Sequence, residues 1–581
     1  MKELLSGNEA IARGVYEAGV KLASAYPGTP STEILENISK KYPEIYSEWA
    51  PNEKVALEVA IGASMAGARA LATMKHVGVN VAADPLFTLS YTGVNGGLVI
   101  VTCDDPELHS SQNEQDNRHY GKSAKMPVIE PSDSEEAKSF MVEAFELSEK
   151  FDTPILFRST TRVSHSKSIV TEGERIEKEM PKELSKESKK YTMLPVFARQ
   201  RHPIIEERLK KLSEYGSTSK LNRVEYNDTS IGIVTSGISY QYAKEVFPEA
   251  SILKLGLTYP IPEKLVREFA SKVEKLYVIE ELDPFLEEEI KLLGINVDKG
   301  KNIVPICGEL DQKKLREYFN VEGEKQIYPA EQNLPLRPPT LCPGCAHRGL
   351  FTILGKLKCF VSGDIGCYTL GALPPLSALH TCVDMGASIG MAHGINKVFT
   401  PDSIKNKTVA VIGDSTFFHS GITGLLNMIY NRGTSVVVIM DNRTTAMTGG
   451  QENPGTGKTL MGQPAIETDI IELVKALGVK NVEEIDTYDL KSTEAALKSA
   501  LEKEELTVLV CKRPCVLQYK VFNPSLSIDE EKCKGCKACI KVGCIALSLK
   551  DVNGETKAEI DPNMCVGCGV CSQVCKFDAI S

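Results

Sequence analysis

Two runs of four cysteines close the chain, and nothing else in the sequence limits its fold so sharply. Cys533, Cys536, Cys539 and Cys544 follow the spacing C-x2-C-x2-C-x4-C, and 21 residues later Cys565, Cys568, Cys571 and Cys575 repeat it as C-x2-C-x2-C-x3-C. Thiols two residues apart let one loop grip one face of an iron–sulfur cube. Paired cysteines also bind zinc, but zinc needs four ligands and no internal repeat of this kind. Eight of the seventeen cysteines lie in the last 49 residues. Residues 1–14 show no basic region followed by an apolar run, so a cytoplasmic location is expected. In that setting the clustering favours metal ligation in a reducing, low-oxygen interior over disulfides. The tail reads as electron-transfer equipment.

At 581 residues the chain exceeds what a single core can fill, and three to five domains are expected. Hydrophobic residues make up 42% and charged residues 25%, ordinary proportions for a globular protein, and no stretch reaches the 18 apolar residues of a membrane span. The charge of −10 comes without a basic stripe, so neither a membrane nor a nucleic acid is expected as a partner.

Upstream of the tail, Thr408 to Ile412 is a β-rich apolar run followed at once by Gly413, Asp414 and Ser415, then by a helical stretch from Phe417 to Tyr430. After Gly433 a second apolar run, Ser435 to Met440, leads into Asp441, Asn442, Arg443 and Thr444. This strand, turn, helix, strand, turn order places both turns at the C-terminal edge of a parallel sheet, where ligands bind. Asp414 and Asn442 can there offer a carboxylate and an amide oxygen to one magnesium ion, with a main-chain carbonyl near Thr444 as a third ligand. Magnesium keeps octahedral oxygen coordination and completes it from phosphates, so a diphosphate ligand is implied. Taken alone, the two segments are equally readable as ordinary tight turns. Residues 385–394 carry small residues every four positions, a pattern suited to a helix packed closely on the sheet or approaching a phosphate.

These motifs carry a resemblance. The tail resembles bacterial two-cluster ferredoxins, in which the fourth cysteine of each run crosses to the other cube. That implies one cluster on Cys533, Cys536, Cys539 and Cys575 and another on Cys544, Cys565, Cys568 and Cys571; Ile545 and Lys576 stand where the family has Pro, and the first run has one extra residue. Gly413-Asp414-Ser415 with Asn442 resembles the GDG…N signature of thiamine-diphosphate enzymes, Ser415 replacing the usual Gly, and residues 445–451 resemble its oxoacid oxidoreductase version. Along all 581 residues the chain resembles the large subunits of 2-oxoacid:ferredoxin oxidoreductases, of the indolepyruvate (arylpyruvate) type.

The resemblance implies an α/β architecture with two doubly wound, parallel-sheet domains that hold thiamine diphosphate between them. The pyrimidine-binding domain is placed at 1–170, a charged linker and connecting helix at 171–228, and a transketolase C-terminal-like α/β domain at 229–325. The diphosphate-binding domain is placed at 335–520, after a Pro-rich linker spanning Leu334 to Pro339, and an α+β two-cluster ferredoxin domain at 525–581. Glu53, at the start of an apolar-periodic helix, aligns with the catalytic Glu beside the pyrimidine, with Glu58 as the fallback; a Glu there also suits the helix dipole. The Y-P-x-T-P-S turn places Thr29 at the substrate, and the polar stretch 101–119 offers His109 and Gln112 as pocket residues. Pyruvate-using relatives place an Arg in this region; none precedes Arg118 there, which suggests a pocket shaped for a bulkier oxoacid.

His347 joins Gly413, Asp414, Ser415, Asn442 and Thr444 on the thiamine diphosphate side, with magnesium on Asp414, Asn442 and Thr444. Cys342, Cys345, Cys367 and Cys515 match the ligands of a third, proximal 4Fe–4S cluster. The implied reaction is oxidative decarboxylation of an aryl 2-oxoacid with coenzyme A, reducing ferredoxin. A smaller subunit carrying the γ-type domain is implied as partner, in a heterodimer or α2β2 assembly. The alternatives are another 2-oxoacid substrate, a non-redox thiamine-dependent decarboxylase, and an electron-transfer subunit with a vestigial thiamine fold.

Overall fold

The computed structural model describes residues 1–323 and 338–581 in two compact units, 1–330 and 331–581. Leu334 to Arg337 of the expected Pro-rich linker lie outside the described residues.

The first unit is built on a seven-stranded sheet in the order Leu257–Tyr259, Val128–Ile129, Ile155–Thr160, Leu98–Asp104, Ala70–Lys75, Leu22–Ala25, Tyr46–Trp49. All neighbours run parallel except the edge strand Leu257–Tyr259. Strands such as Leu98–Asp104 are buried along their whole length, as parallel strands covered by helices on both faces must be, which is why they read as continuous apolar runs. Their C-terminal ends deliver, on one edge, the turn at residues 26–31, the helix Glu53–Met65, Lys75 and the loop that starts at Asp105.

The charge run after Thr171 is largely exposed, as a solvated linker should be, yet it is pinned down. Arg175 donates to the carbonyls of Tyr16 and Val20, both at 2.9 Å. The long helix Pro195–Gly216 then crosses back, and its buried Arg208 donates to the carbonyls of Asp152 at 2.6 Å and Ser90 at 2.7 Å. A second sheet follows in the order Lys275–Ile279, Asp228–Ser236, Ala250–Leu255, Arg223–Glu225, the last antiparallel.

This second sheet is not a separate body. Its chain leaves Ala250–Leu255 and immediately lays Leu257–Tyr259 against Val128–Ile129, so a strand from beyond the expected boundary at 229 completes the first sheet. A buried ionic cluster reinforces the join: Arg118 bonds Asp116 and, at 2.7 Å, Glu280, while Arg158 bonds Asp104 and Glu130, each at 2.6 Å.

The second unit holds a five-stranded, all-parallel sheet in the order Phe360–Ser362, Thr408–Gly413, Val436–Asp441, Thr507–Lys512, Asn481–Ile485. Between the two cysteine runs the tail forms an antiparallel hairpin, Leu547–Val552 with Glu555–Ile560. The tail shares the core of this unit, because Val542 and Val570 pack with Leu350, Tyr368 and Leu497. Gln573 also accepts from the Leu490 N–H at 3.0 Å and donates to the Tyr488 carbonyl at 2.6 Å.

Candidate functional site

On the edge of the second unit, Thr408–Gly413 ends where Asp414 begins a short helical turn, and Val436–Asp441 ends beside Asn442. The turn passes through a π-helical segment, Phe417–Gly421, before the regular helix Ile422–Tyr430, a device that recurs at functional sites. Asp414 is buried, and among the described residues no Lys, Arg or His pairs with it. Asn453 donates to its Oδ2 at 3.0 Å. Burial, with the neighbouring Asp441 carboxylate, pushes the Asp414 carboxyl up to about 7. A buried carboxylate held in this way gains from a divalent cation, so the donor set fits magnesium. Asn442 Oδ1 accepts the Thr444 N–H at 3.3 Å, and the Thr445 hydroxyl donates to Ser415 Oγ at 2.9 Å. Ser415, the departure from the usual Gly, therefore ties the two loops together.

Two polar residues of this site escaped the sequence reading. Asn453 lies beyond the motif. Asp364 accepts the N–H groups of Ile365 at 2.9 Å, Gly386 at 2.8 Å and Ser388 at 3.0 Å. It thereby caps the helix Ala387–Val398, so the alternative that this helix end approaches a phosphate is not met: a carboxylate of the chain already holds its donors. Gly386, at φ 94°, has its ideal Cβ position 2.5 Å from the Ser420 Cβ and could not carry a side chain. Gly390 and Gly394, by contrast, face open space, while the helix packs on the sheet through Ile389 and Ala392, which share a core with Ala410 and Ile412.

Next to Asn442 and Thr444 opens a cavity of about 310 Å³, lined also by His347, Cys342, Cys345, Cys367 and Cys515. The four cysteines, dispersed over 174 positions of sequence, thus face one space that touches the diphosphate-side residues. Burial pushes the Cys345 thiol up to about 12 and the Cys367 thiol to about 11, and the neighbouring thiols add to it. His347 is buried against the edge of Tyr368, its ring centroid 5.8 Å away, and burial lowers its pKa to about 4.

The tail cysteines face two separate cavities. Cys533, Cys536, Cys539 and Cys575 line one small cavity, and Cys544, Cys565, Cys568 and Cys571 line another. The extra residue of the first run is taken up by a 3-10 turn, Ile540–Val542, that closes on Gly543 at φ 75°. The second cavity is also walled by Pro343, Gly344 and Arg348, whereas the first is walled by tail residues alone. In a tetrahedral zinc site with Zn–S near 2.3 Å the sulfurs stand roughly 3.8 Å apart. Among the described residues, Asp116, His119 and Asp283 are the one group of three that brings its ligand atoms within 4.8 Å, so none of the cysteine groups has zinc spacing.

In the first unit, Glu53 is buried at the start of Glu53–Met65 beneath the Asn52 cap, whose side chain accepts the Val55 N–H. The ideal Cβ position of Gly78 lies 2.7 Å from Glu53 Oε1, so glycine there makes room for the carboxyl group. Glu58, the fallback, is exposed and paired with Lys54. Thr29 sits half-buried in a turn pinned by the Ser31 hydroxyl, 2.7 Å from the Gly28 carbonyl, and by Asn8, 2.7 Å from the Pro30 carbonyl. His109 lies 3.2 Å from Glu309, and Gln112 is exposed. Arg118 is sealed in the ionic cluster and is not available to a ligand.

Comparison with known proteins is consistent along the chain. Residues 13–225 match the family described as pyruvate flavodoxin/ferredoxin oxidoreductase, thiamine diphosphate-binding; residues 364–511 match the C-terminal binding domain of thiamine pyrophosphate enzymes; residues 558–581 match a 4Fe-4S binding domain. The indolepyruvate oxidoreductase subunit IorA of Archaeoglobus fulgidus is 41% identical, covering 100% of this chain and 97% of the relative. The subunits of the same name from Pyrococcus horikoshii and Methanothermobacter thermautotrophicus are each 41% identical over 100% of this chain, covering 96% and 97% of their own lengths.

Proposed function

The chain belongs to the family of indolepyruvate oxidoreductase IorA subunits, and from that premise we propose that it oxidatively decarboxylates aryl 2-oxoacids with coenzyme A and passes the electrons to ferredoxin. The observation that carries this reading is the shared cavity, in which Asn442 and Thr444 stand beside Cys342, Cys345, Cys367 and Cys515. When bound, thiamine diphosphate supplies a carbanion for attack on the 2-oxo carbon, and 4Fe–4S clusters supply one-electron acceptors.

The residues do the rest. Asp414 and Asn442 would hold a magnesium ion on the diphosphate side, and Asn453 fixes the Asp414 carboxylate. Glu53 would face the pyrimidine ring and hold a proton there, its carboxyl group supplying the acid–base chemistry the cofactor needs. The hydrophobic walls of the cavity, Leu341, Leu370 and Val516, exclude water. The three cysteine groups are ordered in space. The group in the cavity adjoins the loop of Pro343 and Gly344, which walls the Cys544, Cys565, Cys568 and Cys571 group, and the Cys533, Cys536, Cys539 and Cys575 group lies beyond. A decarboxylase without redox chemistry has no use for such a series.

The three parallel strands Asp228–Ser236, Ala250–Leu255 and Lys275–Ile279 support reading residues 229–325 as a transketolase C-terminal-type scaffold. The relatives are named as subunits, and we assign to this chain a smaller partner that carries the γ-type domain. No helix among the described residues is long and apolar enough to cross a membrane.

The test is an anaerobic assay of the reconstituted enzyme, following viologen reduction that depends on both 2-oxoacid and coenzyme A. Asp414→Ala is expected to abolish thiamine diphosphate binding and turnover. Aldehyde release without dye reduction, or full activity in Asp414→Ala, would overturn the assignment.

A further inference from the structure

Lys75 ends the strand Ala70–Lys75 on the edge that also carries Glu53 and the Thr29 turn. It is 8% exposed. Its Nζ donates to the Ser110 carbonyl at 2.6 Å, a neutral acceptor that leaves the charge unanswered. Among the described residues no carboxylate lies within 4.0 Å of it. The carboxylate that acts on it through space is Asp105, whose oxygens already accept from the Ser110 N–H at 2.8 Å, the Ser111 hydroxyl at 2.5 Å and the Thr161 hydroxyl at 2.7 Å.

Other cations near this edge are spent. Arg118 and Arg158 are locked to buried acids, and Arg162 is paired with Glu309. Lys75 stands among three segments assigned to the site: it touches the first, the ideal Cβ position of Gly28 lying 2.9 Å from the Lys75 Cβ, and the second, the start of Glu53–Met65, is seated against Gly78, three residues further along the chain. The third, the loop of His109 and Gln112, is held by the Ser110 bond. A buried ammonium without an anion is costly, and here burial lowers the pKa to about 8 against the pull of Asp105. An arriving carboxylate repays that cost.

We propose that Lys75 is the specificity residue that binds the carboxylate of the 2-oxoacid by a direct ion pair. The inference rests on the 2-oxoacid reading above. It assigns Lys75 to affinity rather than to rate, because the carboxylate is bound before reaction and leaves as neutral carbon dioxide. The product, lacking a carboxylate, no longer satisfies the ammonium, which favours its exchange for new substrate. A compact ammonium also occupies less room than a guanidinium and leaves space for an aromatic side chain.

The experiment uses the reconstituted holoenzyme with Lys75→Met, Lys75→Gln and Lys75→Arg. Three quantities are measured: KM and kcat for indolepyruvate, the Kd of thiamine diphosphate, and the affinities of indole-3-lactate and indole-3-lactamide, unreactive analogues with and without the carboxylate. The neutral variants are expected to raise KM and weaken lactate at least tenfold, leaving lactamide and thiamine diphosphate affinities within twofold of wild type. Lys75→Arg is expected to recover most of the lactate affinity. Equal losses for lactate and lactamide, or no loss for either, overturn the proposal. If the parent enzyme turns over no 2-oxoacid, the functional reading fails, while the lactate and lactamide affinities still decide the role of Lys75.

Discussion

Arg348 lies 1% exposed in the second unit, and its guanidinium donates to the carbonyls of Val542 at 3.0 Å, Leu341 at 2.6 Å and Cys342 at 3.1 Å. Its Nε finds no acceptor, and no carboxylate pairs with it among the described residues. It walls the cavity of Cys544, Cys565, Cys568 and Cys571. A cation so placed stabilises the more negative, reduced state of a cluster. Arg348→Gln should therefore lower the midpoint potential of that cluster in an EPR-monitored titration, and Arg348→Lys should lower it less; equal potentials in all three proteins would refute this. Glu281 shows the opposite imbalance. Burial raises its carboxyl from the usual 4.5 to about 7. The folded state thus holds a proton that the unfolded chain releases, so stability from this group is complete below about 4.5 and is lost as pH rises through about 7. The Tm of Glu281→Gln should exceed that of the parent more at pH 8 than at pH 5, and a gap independent of pH would sink the idea. Such residues were hard to read in the sequence. Asp414 and Asn442 stand in a spaced motif, but Asp364, Asn453 and Lys75 act through contacts that no spacing encodes.

Regular elements were more legible than their connections. The apolar runs at 408–412 and 435–440 announce buried parallel strands because both faces of such strands are covered. The edge strand Leu257–Tyr259 is different: its sequence continues that of Ala250–Leu255, and nothing in the pattern says that it changes sheets. Likewise, a dense charge run reads as solvated linker, yet Arg175 fastens it to two carbonyls. The helix Pro195–Gly216 works in the same way. Arg208 satisfies two buried carbonyls, at Ser90 and Asp152. Removing those bonds by Arg208→Ala should cost about 2–4 kcal/mol, seen as a lower Tm and faster proteolytic cleavage near residues 171–190. Cleavage at the parent rate would argue that the helix is not anchored there.

At the scale of the whole molecule, the order of motifs was legible and their merging was not. The ferredoxin-type tail was expected as an appended domain, but Val542 and Val570 belong to the same core as Leu350 and Leu497. Probing the third cysteine group therefore calls for substitution in the intact chain rather than removal of the tail. With Cys342 and Cys515 both changed to Ser, iron content should fall from about twelve to about eight atoms per chain. Unchanged iron would leave those cysteines without a cluster.

The strand Leu257–Tyr259 has a consequence for biosynthesis. Val128–Ile129 must wait for a partner that the ribosome has not yet made when Ile155–Thr160 emerges. At roughly 5–20 residues per second the gap lasts about 5–20 s, during which the nascent sheet shows an open margin able to pair with a neighbouring chain. Translation speed through residues 161–256 should then govern how much of the protein escapes aggregation.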